Sequence, residues 1–370
     1  MEEQKTNEFE DIRPYLDEEV PEVVERLFNN IIFSTLFKIS LKSALPEWGR
    51  REINQRINSL RGVKSIDAFQ QLLLEPVGGL IRRTTDNLTY SGLENVSRDK
   101  NYLFISNHRD IVMDPTLINY ALKVESYKTT AIATGINLLN IGPVKDLMKL
   151  NKIFVVKRGM NGKSEKINAM NLQSRFIYDY IVYDGSIWMA QSEGRAKDGN
   201  DSTNSALIKM LSYAGKDKDK SLIETLLRMN ILPVSISYEY DPLDVKKAQE
   251  VFDKKTRGKH KKWFLEDFLS MRKGIFGYKG RVHLEFGTQI EQIDSKQGLV
   301  KEIDKQIITN YRPWPSNYFA WELLFKDPNT KPRNEHEEKF FKRYQKVPSH
   351  LKELFLKMYA NPVVNKQEYI

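Results

Sequence analysis

The chain has 370 residues, 40% of them hydrophobic and 29% charged, which is the composition of a globular protein long enough for two or three domains. It contains no cysteine, and this excludes disulfides, thiolate metal sites and a cysteine nucleophile. The formal net charge of +9 indicates an anionic partner, such as nucleic acid, an anionic lipid surface, a phosphorylated substrate or an acidic carrier protein.

The first 85 residues have the pattern of a small helical domain. Apolar residues recur at helical spacing from Pro21 to Phe37, and a second series of this kind follows Pro46. Residues 1–19 are acidic and have no apolar centre, so we expect no secretory signal there. No stretch approaches the roughly 18 consecutive apolar residues of a membrane span. We therefore expect any work on lipid to be done from the membrane surface.

Residues 86–300 alternate between strand-like and helix-like segments. Strands are predicted near residues 102–106, 129–134, 153–157, 186–190, 231–237 and 281–286. Helices are predicted near residues 114–124, 143–150, 163–182 and 204–214. Such alternation predicts an α/β fold with a mixed or mostly parallel sheet flanked by helices. Residues 301–370 become helical again and are predicted to form a C-terminal helical appendage.

Residues 254–273 are rich in lysine and arginine, with aromatic residues between them at near-helical spacing, among them Trp263, Phe264 and Phe268. A basic amphipathic helix of this kind often lies on an anionic membrane. The alternative is a helix with its apolar face in the core and its lysines in solvent.

A histidine and two aspartates follow the first predicted strand of the α/β region. His108, Asp110 and Asp114 lie where this strand gives way to a helix, and open α/β sheets commonly have their sites at such junctions. A histidine oriented by a carboxylate is the usual general base for an alcohol. The alternative is a capping cluster, in which an aspartate caps the helix and His108 packs beside it.

Three later segments add to this junction. Residues 152–159 form a strand that ends in two cations, residues 188–195 run from a strand into a Glu-Gly-Arg turn, and residues 231–238 form a strand with an early proline. Together with residues 106–115, and in this order, they resemble the four blocks of the glycerolipid acyltransferases. That family comprises the glycerol-3-phosphate and lysophosphatidic acid acyltransferases, and the resemblance extends over roughly residues 80–290.

The resemblance implies a catalytic role for the first block. His108 would be the general base, and Asp114 would orient it. The family places its aspartate five positions after the histidine, whereas Asp114 is six positions after His108 and Asp110 only two. Pro115 follows Asp114, as a proline often follows the family's aspartate, so we prefer Asp114 with one extra loop residue. Asp110 is the competing candidate, and Asn107 is expected in the substrate-binding set, where it would help to fix the loop.

The resemblance also assigns residues of the other blocks to substrate binding. Arg158 and Arg195 would hold an anionic headgroup, most simply a phosphate, because the arginine fork matches its oxygens. The other assignments are Lys157 and Lys197 as additional charge, Glu193 to position Arg195 or the acceptor, Gly194 for close backbone approach, and Pro233 to shape the acyl-donor wall. The third block is one residue short, because Gly194 meets Arg195 directly.

The sequence thus predicts an O-acyltransferase that moves a fatty acyl group to lysophosphatidic acid or glycerol 3-phosphate. Acyl-CoA or acyl carrier protein would be the co-substrate, with no metal and no other cofactor. The enzyme would be cytoplasmic and peripheral on the inner face of the cell membrane, which it would contact through residues 254–273. One alternative is O-acylation of a lyso-aminolipid or another hydroxylated lipid. The other is a basic binding protein for nucleic acid or membrane without catalysis, although a nucleic-acid partner is not expected.

Overall fold

The computed structural model describes residues 8–135, 142–156, 162–218, 221–258 and 266–369. Within them, seven strands form one sheet: β1 (Asn87–Ser91), β2 (Leu103–Ser106), β3 (Ala131–Thr134), β4 (Ile153–Val155), β5 (Ile187–Ala190), β6 (Ile231–Tyr238) and β7 (Arg281–Phe286). Their order across the sheet is β1–β7–β6–β2–β5–β3–β4. Neighbouring strands are parallel except for β6 and β7, so the sheet is mixed and mostly parallel, as predicted.

Fifteen α-helices occur in the described part of the chain. They are α1 (Val20–Asn29), α2 (Ile31–Ala44), α3 (Arg50–Arg61), α4 (Ile66–Thr84), α5 (Met113–Val124), α6 (Gly142–Leu150), α7 (Lys163–Tyr183), α8 (Ser205–Leu211), α9 (Leu222–Leu227), α10 (Asp244–Arg257), α11 (Glu266–Phe276), α12 (Lys296–Asn310), α13 (Pro315–Phe325), α14 (Glu335–Gln345) and α15 (Lys352–Tyr369). None of these helices is both long and apolar enough to cross a bilayer.

Helices cover both faces of the sheet, and the central strands are buried throughout. Side chains alternate between the faces of a strand. Leu103 and Ile105 of β2 join one apolar cluster, together with Ile177 of α7. Phe104 joins the other, together with Leu117 of α5. This burial on both faces explains why the parallel strands have nearly continuous apolar sequences.

The strands and helices predicted within residues 86–300 are observed, but α9 and α10 were not predicted, and there are a few further differences. The strand β1 was not predicted, because its sequence is polar and it lies half-buried at the edge of the sheet. The helix predicted to end near residue 214 ends as α8 at Leu211 and continues as a 3₁₀ segment, Ser212–Lys218. The strand predicted at 153–157 ends as β4 at Val155, and residue 157 lies outside the described residues.

The N-terminal helices α1–α4 have a core of their own. Val24, Leu27, Leu60 and Phe69 pack in it, and Leu150 of α6 joins them from the α/β region. The long apolar pattern divides at Asn30, whose side chain caps α2 by accepting from the Phe33 N–H at 2.9 Å. The predicted boundary at residue 85 falls between α4 and β1.

The C-terminal boundary predicted at residue 300 falls inside α12. Leu299 and Ile303 of this helix pack in the core beneath the sheet, so α12 belongs with the α/β region. Helices α13–α15 form a separate apolar cluster around Phe340 and Phe355, and Ala248 of α10 joins them. The C-terminal appendage therefore packs against the helix that follows β6.

Candidate active site

The strands that carry the four sequence blocks all point in the same direction. β2, β4, β5 and β6 are connected through parallel pairs, so their carboxyl ends lie at one edge of the sheet. β2 lies between β6 and β5, which brings the first, third and fourth blocks together. β4 is three strands away from β2, or about 14 Å at the usual strand spacing.

His108 and Asp114 contact each other directly, although they are six positions apart. The Nδ1 atom of His108 lies 2.8 Å from Oδ2 of Asp114. Because an ionised carboxylate can only accept, a neutral imidazole in this position carries its proton on Nδ1 and keeps the lone pair on Nε2. The His108 side chain is 12% exposed and packs edge-on against Trp188 of β5, with ring centroids 5.9 Å apart. Among the described residues, no group hydrogen-bonds Nε2.

The Asp114 carboxylate is completely buried and is held by four donors. Besides the His108 ring, Oδ2 accepts from the backbone N–H groups of Arg109 at 2.6 Å and Asp110 at 2.9 Å. Oδ1 accepts from the Tyr238 hydroxyl at 2.9 Å. The loop closes around Asp114 because this residue lies in the first turn of α5 and faces back toward the end of β2. In this structure, the extra residue of the first block is accommodated within that closed loop.

Asp110 makes the contacts of a helix cap. Its Oδ1 accepts from the N–H groups of Val112 and Met113, both at 2.9 Å, at the start of α5. Burial, and to a lesser extent the Asp114 charge, raises the pKa of Asp110. In the structure, Asp114 therefore contacts the histidine, whereas Asp110 caps the helix. The catalytic roles themselves stay predictions.

Asn107 is fully buried, and its side-chain amide makes hydrogen bonds to β6 that a backbone residue of β2 would otherwise make. Its Oδ1 accepts from the Ile236 N–H at 2.8 Å, and its Nδ2 donates to the Ile236 carbonyl at 3.0 Å. β6 continues beyond the end of β2, and this amide extends the pairing between them into the loop. These contacts are those of a residue that fixes the loop, and they leave its amide no exposed atom for a ligand.

Two buried charges, neither of which was predicted, hold Arg109. Its guanidinium forms a bidentate pair with Asp201, with Nη1–Oδ1 at 3.0 Å and Nη2–Oδ2 at 2.5 Å. Burial alone would lower the pKa of Arg109, but the Asp201 charge raises it above its usual value. The Lys247 ammonium, which also pairs with Asp241, donates to the Arg109 carbonyl at 2.7 Å. The histidine loop is thus tied to the segment after the third block and to α10.

The third block lies beside His108. The Ala196 N–H donates to the His108 carbonyl at 2.8 Å, which holds the turn of Glu193, Gly194 and Arg195 at the site. Gly194 has φ +82°, and a Cβ there would meet no atom within 4 Å, so conformation and not crowding requires the glycine. Glu193 is exposed and Arg195 half-buried. Although burial would raise it, the pKa of Asp241 is lowered by Lys247 and also by Arg195, which places the Arg195 charge near this site.

The remaining predicted residues are less closely connected to the site. Lys197 pairs with the buried Glu250 of α10, so its charge is already compensated. Pro233 is buried within β6 opposite Ile105, and its carbonyl accepts from the Gly287 N–H at 2.9 Å. Lys157 and Arg158 lie outside the described residues, and their roles stay predictions.

The basic region predicted to contact membrane is described only at its ends. Lys254, Lys255 and Arg257 are exposed at the end of α10, and Leu269 is exposed on α11. Residues 259–265, which include Trp263 and Phe264, lie outside the described part of the chain.

Comparison with known proteins finds similarity in the central part of the chain. A family model described as Acyltransferase matches residues 87–200. Among solved structures, the 1-acyl-sn-glycerophosphate (LPA) acyltransferase PlsC from Thermotoga maritima matches with 15% identity and a TM-score of 0.40, over 75% of this chain and 94% of that one. Curated proteins gave no match. The family match spans the first three blocks and confirms the resemblance that they carry. Residues 87–200 are thus similar to the acyltransferase family over the part of the chain that carries the first three blocks.

Proposed function

We propose that this acyltransferase moves a fatty acyl group from a thioester to the hydroxyl of lysophosphatidic acid or glycerol 3-phosphate. The observation that supports it best is the pair formed by His108 and Asp114. A histidine whose Nδ1–H donates to a buried carboxylate presents a basic Nε2, and this is the group that an alcohol requires to become a nucleophile.

The reaction needs one base and two proton transfers. Nε2 of His108 removes the acceptor hydroxyl proton as the oxygen attacks the thioester carbonyl carbon. The tetrahedral intermediate then collapses, the carbon–sulfur bond breaks, and the imidazolium returns its proton to the departing thiolate. The products are the ester and the free thiol, so atoms and charge balance. Asp114 would stabilise the imidazolium in between.

The phosphate of the acceptor would be bound at the same edge of the sheet. Arg195 lies in the turn held against the His108 carbonyl, where a guanidinium can reach an anion close to the reacting hydroxyl. Arg158 follows β4 in the sequence, and we propose it as a second fork for the phosphate. This pairing of base and cations favours a phosphorylated acceptor over a lyso-aminolipid.

An enzyme acting on lipid must reach the membrane, and we propose α2 as a contact surface. Its apolar residues Ile31, Ile32, Leu36 and Ile39 are 82%, 74%, 57% and 57% exposed, although helices of globular proteins normally bury such a face. Lys38 is exposed on the same helix and would meet anionic headgroups. Contact through α2 would leave the protein peripheral, on the cytoplasmic face of the membrane. The role first assigned to residues 254–273 stays a prediction.

A thioester-consumption assay with a panel of acceptors tests the proposal. Purified protein is given palmitoyl-CoA or palmitoyl carrier protein with lysophosphatidic acid, glycerol 3-phosphate, a lyso-aminolipid or no acceptor. We expect thiol release only with the phosphorylated acceptors, and a loss of acceptor use in Arg195→Ala. If only the lyso-aminolipid supports turnover, the acceptor is that lipid and not lysophosphatidic acid or glycerol 3-phosphate. Tight lipid binding without turnover under any condition would favour the binding-protein alternative.

A further inference from the structure

The strand of the fourth block reaches the general-base pair directly. β6 has eight residues and β2 has four, and the two are paired in parallel up to Ser106 and Val234. β6 therefore extends four residues beyond β2, along the loop that contains His108. Val234, Ile236 and Tyr238 alternate onto the face of the sheet that α5 covers, and Tyr238 is the last of them.

The Tyr238 hydroxyl donates to Oδ1 of Asp114 at 2.9 Å, while Oδ2 of the same carboxylate accepts from His108. Among the described residues, Tyr238 is the one donor to Oδ1. Both side chains are buried, and burial together with the Asp114 charge raises the pKa of Tyr238 well above its usual value. The hydroxyl thus keeps its proton over the whole range in which a histidine titrates.

We propose that Tyr238 is a positioning residue that completes a chain of three groups, Tyr238–Asp114–His108. This inference rests on the proposed function, since it gives a role to the carboxylate that orients the base. The tyrosine fixes the carboxylate plane from the side opposite to the histidine. It also draws part of the negative charge of Asp114 away from the imidazole, which favours the neutral, basic form of His108.

The other charged groups near this chain are Arg109, Asp110, Arg195, Asp241, Lys247 and Lys279. Replacing Tyr238 by phenylalanine changes none of them. Such a replacement removes one oxygen atom and leaves Oδ1 of Asp114 without its donor. Without this donor, more of the negative charge of Asp114 acts on the protonated imidazole and attracts it more strongly. The carboxylate plane is also less fixed, so Asp114 orients the ring less well. We therefore expect His108 to remove the proton more slowly in this variant, and the activity to appear only at higher pH.

Tyr359 provides a matched control. Its hydroxyl donates to Oδ2 of Asp244 at 2.9 Å, and both residues are buried, but this pair joins α15 to α10 and does not include His108. Tyr359→Phe thus removes the same kind of hydrogen bond outside the chain of Tyr238, Asp114 and His108, together with the acceptor of the Asp241 N–H at 3.0 Å. Both variants should lose similar amounts of thermal stability.

The test combines kinetics with an NMR titration of the His108 ring, assigned by the signal that disappears in His108→Ala. In Tyr238→Phe, we expect kcat to fall about 10- to 100-fold with KM within about twofold. We also expect the acid limb of the pH–rate profile and the His108 titration midpoint to move upward by about half a pH unit or more. Tyr359→Phe should change neither quantity.

The two readouts separate the possible failures. An unmoved His108 titration in Tyr238→Phe overturns the inference, whether or not kcat falls, because a purely structural loss would not alter the proton affinity of the ring. Full activity of His108→Ala would instead overturn the proposed base. The NMR titration would still decide whether Tyr238 acts on His108 through Asp114, since it requires no turnover.

Discussion

The Arg109 guanidinium and the Asp201 carboxylate face each other as a bidentate pair inside the protein, 92 positions apart in the chain. Asn107 adds an amide donor to the same carboxylate at 3.4 Å. Residues on both sides of His108 are therefore fixed by one buried acid that comes after the third block. The position of the histidine thus depends on a segment with no obvious catalytic motif.

This pair predicts a strong asymmetry between single and double variants. Arg109→Met leaves Asp201 buried without its partner, which should cost about 3–5 kcal/mol of unfolding free energy. The double variant Arg109→Met/Asp201→Asn removes both charges and should recover part of that loss. Urea denaturation of the three proteins measures the difference. Equal stability of the parent chain and Arg109→Met would contradict a buried ion pair.

The two aspartates of the first block should differ in their effect on rate. Asp114→Asn replaces an acceptor of three N–H groups by an amide that repels some of them, and we expect a loss of about 100- to 10,000-fold in kcat. Asp110→Asn keeps an oxygen for the N–H groups of Val112 and Met113, so its loss should stay within about tenfold. Steady-state kinetics of both variants decide the matter, and the reverse order would show that Asp110 orients the base.

Lys279 makes stability depend on pH. Its side chain is buried, and burial lowers the pKa of Lys279 to about 8. The unfolded chain binds this proton more tightly, so the stability that the residue contributes is complete above about pH 10.4 and is lost as the pH falls toward 8. Relative to Lys279→Met, the parent chain should gain roughly 2–3 kcal/mol between about pH 8 and 10.

Urea denaturation at several pH values in this range provides the comparison for Lys279. Replacement of the exposed Lys273 by methionine is the matched control, and its stability difference should stay constant with pH. A constant difference for Lys279→Met as well would mean that the lysine is not held in a dehydrated site.

The exposed face of α2 predicts membrane binding without a role in folding. The triple variant Ile32→Ser/Leu36→Ser/Ile39→Ser should bind vesicles of phosphatidylcholine and phosphatidylglycerol at least about tenfold more weakly, because each apolar side chain contributes up to about 1.5–3 kcal/mol when buried. Its melting temperature should not fall, since these side chains are exposed.

Val124→Ser/Ile167→Ser is the control for α2, because it removes exposed apolar side chains from other helices. A second comparison replaces Lys259, Lys261 and Lys262 by glutamate in the basic region. If only this variant loses vesicle binding, the membrane contact belongs to residues 254–273 and not to α2.

The sequence predicted the contact between His108 and Asp114 because both residues lie in one strand-to-helix junction, where local spacing fixes which groups meet. Tyr238, Asp201 and Lys247 could not be found in this way. Their partners lie 124, 92 and 138 positions away, and only the order of the strands brings them together. Tyr238 did fall within the fourth block, but a tyrosine at the end of a buried strand carries no signal of its function.

The fold showed the same division between local and distant information. The apolar central strands were predicted from their composition, whereas the edge strand β1 was not, because half-buried polar residues look like a loop. The break at Asn30 was not predicted, because apolar residues recur at helical spacing on both sides of it, and the exposure of Ile31 and Ile32 could not be seen in this pattern. An amphipathic pattern shows that a helix has an apolar face, but it does not show whether the protein covers that face.

The central claim is that His108 is the general base, and the activity of His108→Ala tests it most directly. The variant should keep the melting temperature of the parent chain, because the side chain is partly exposed and its neighbours remain in place. Thiol release from an acyl thioester in the presence of lysophosphatidic acid should fall by about 100- to 10,000-fold. A folded variant that works at nearly the parent rate would contradict the account.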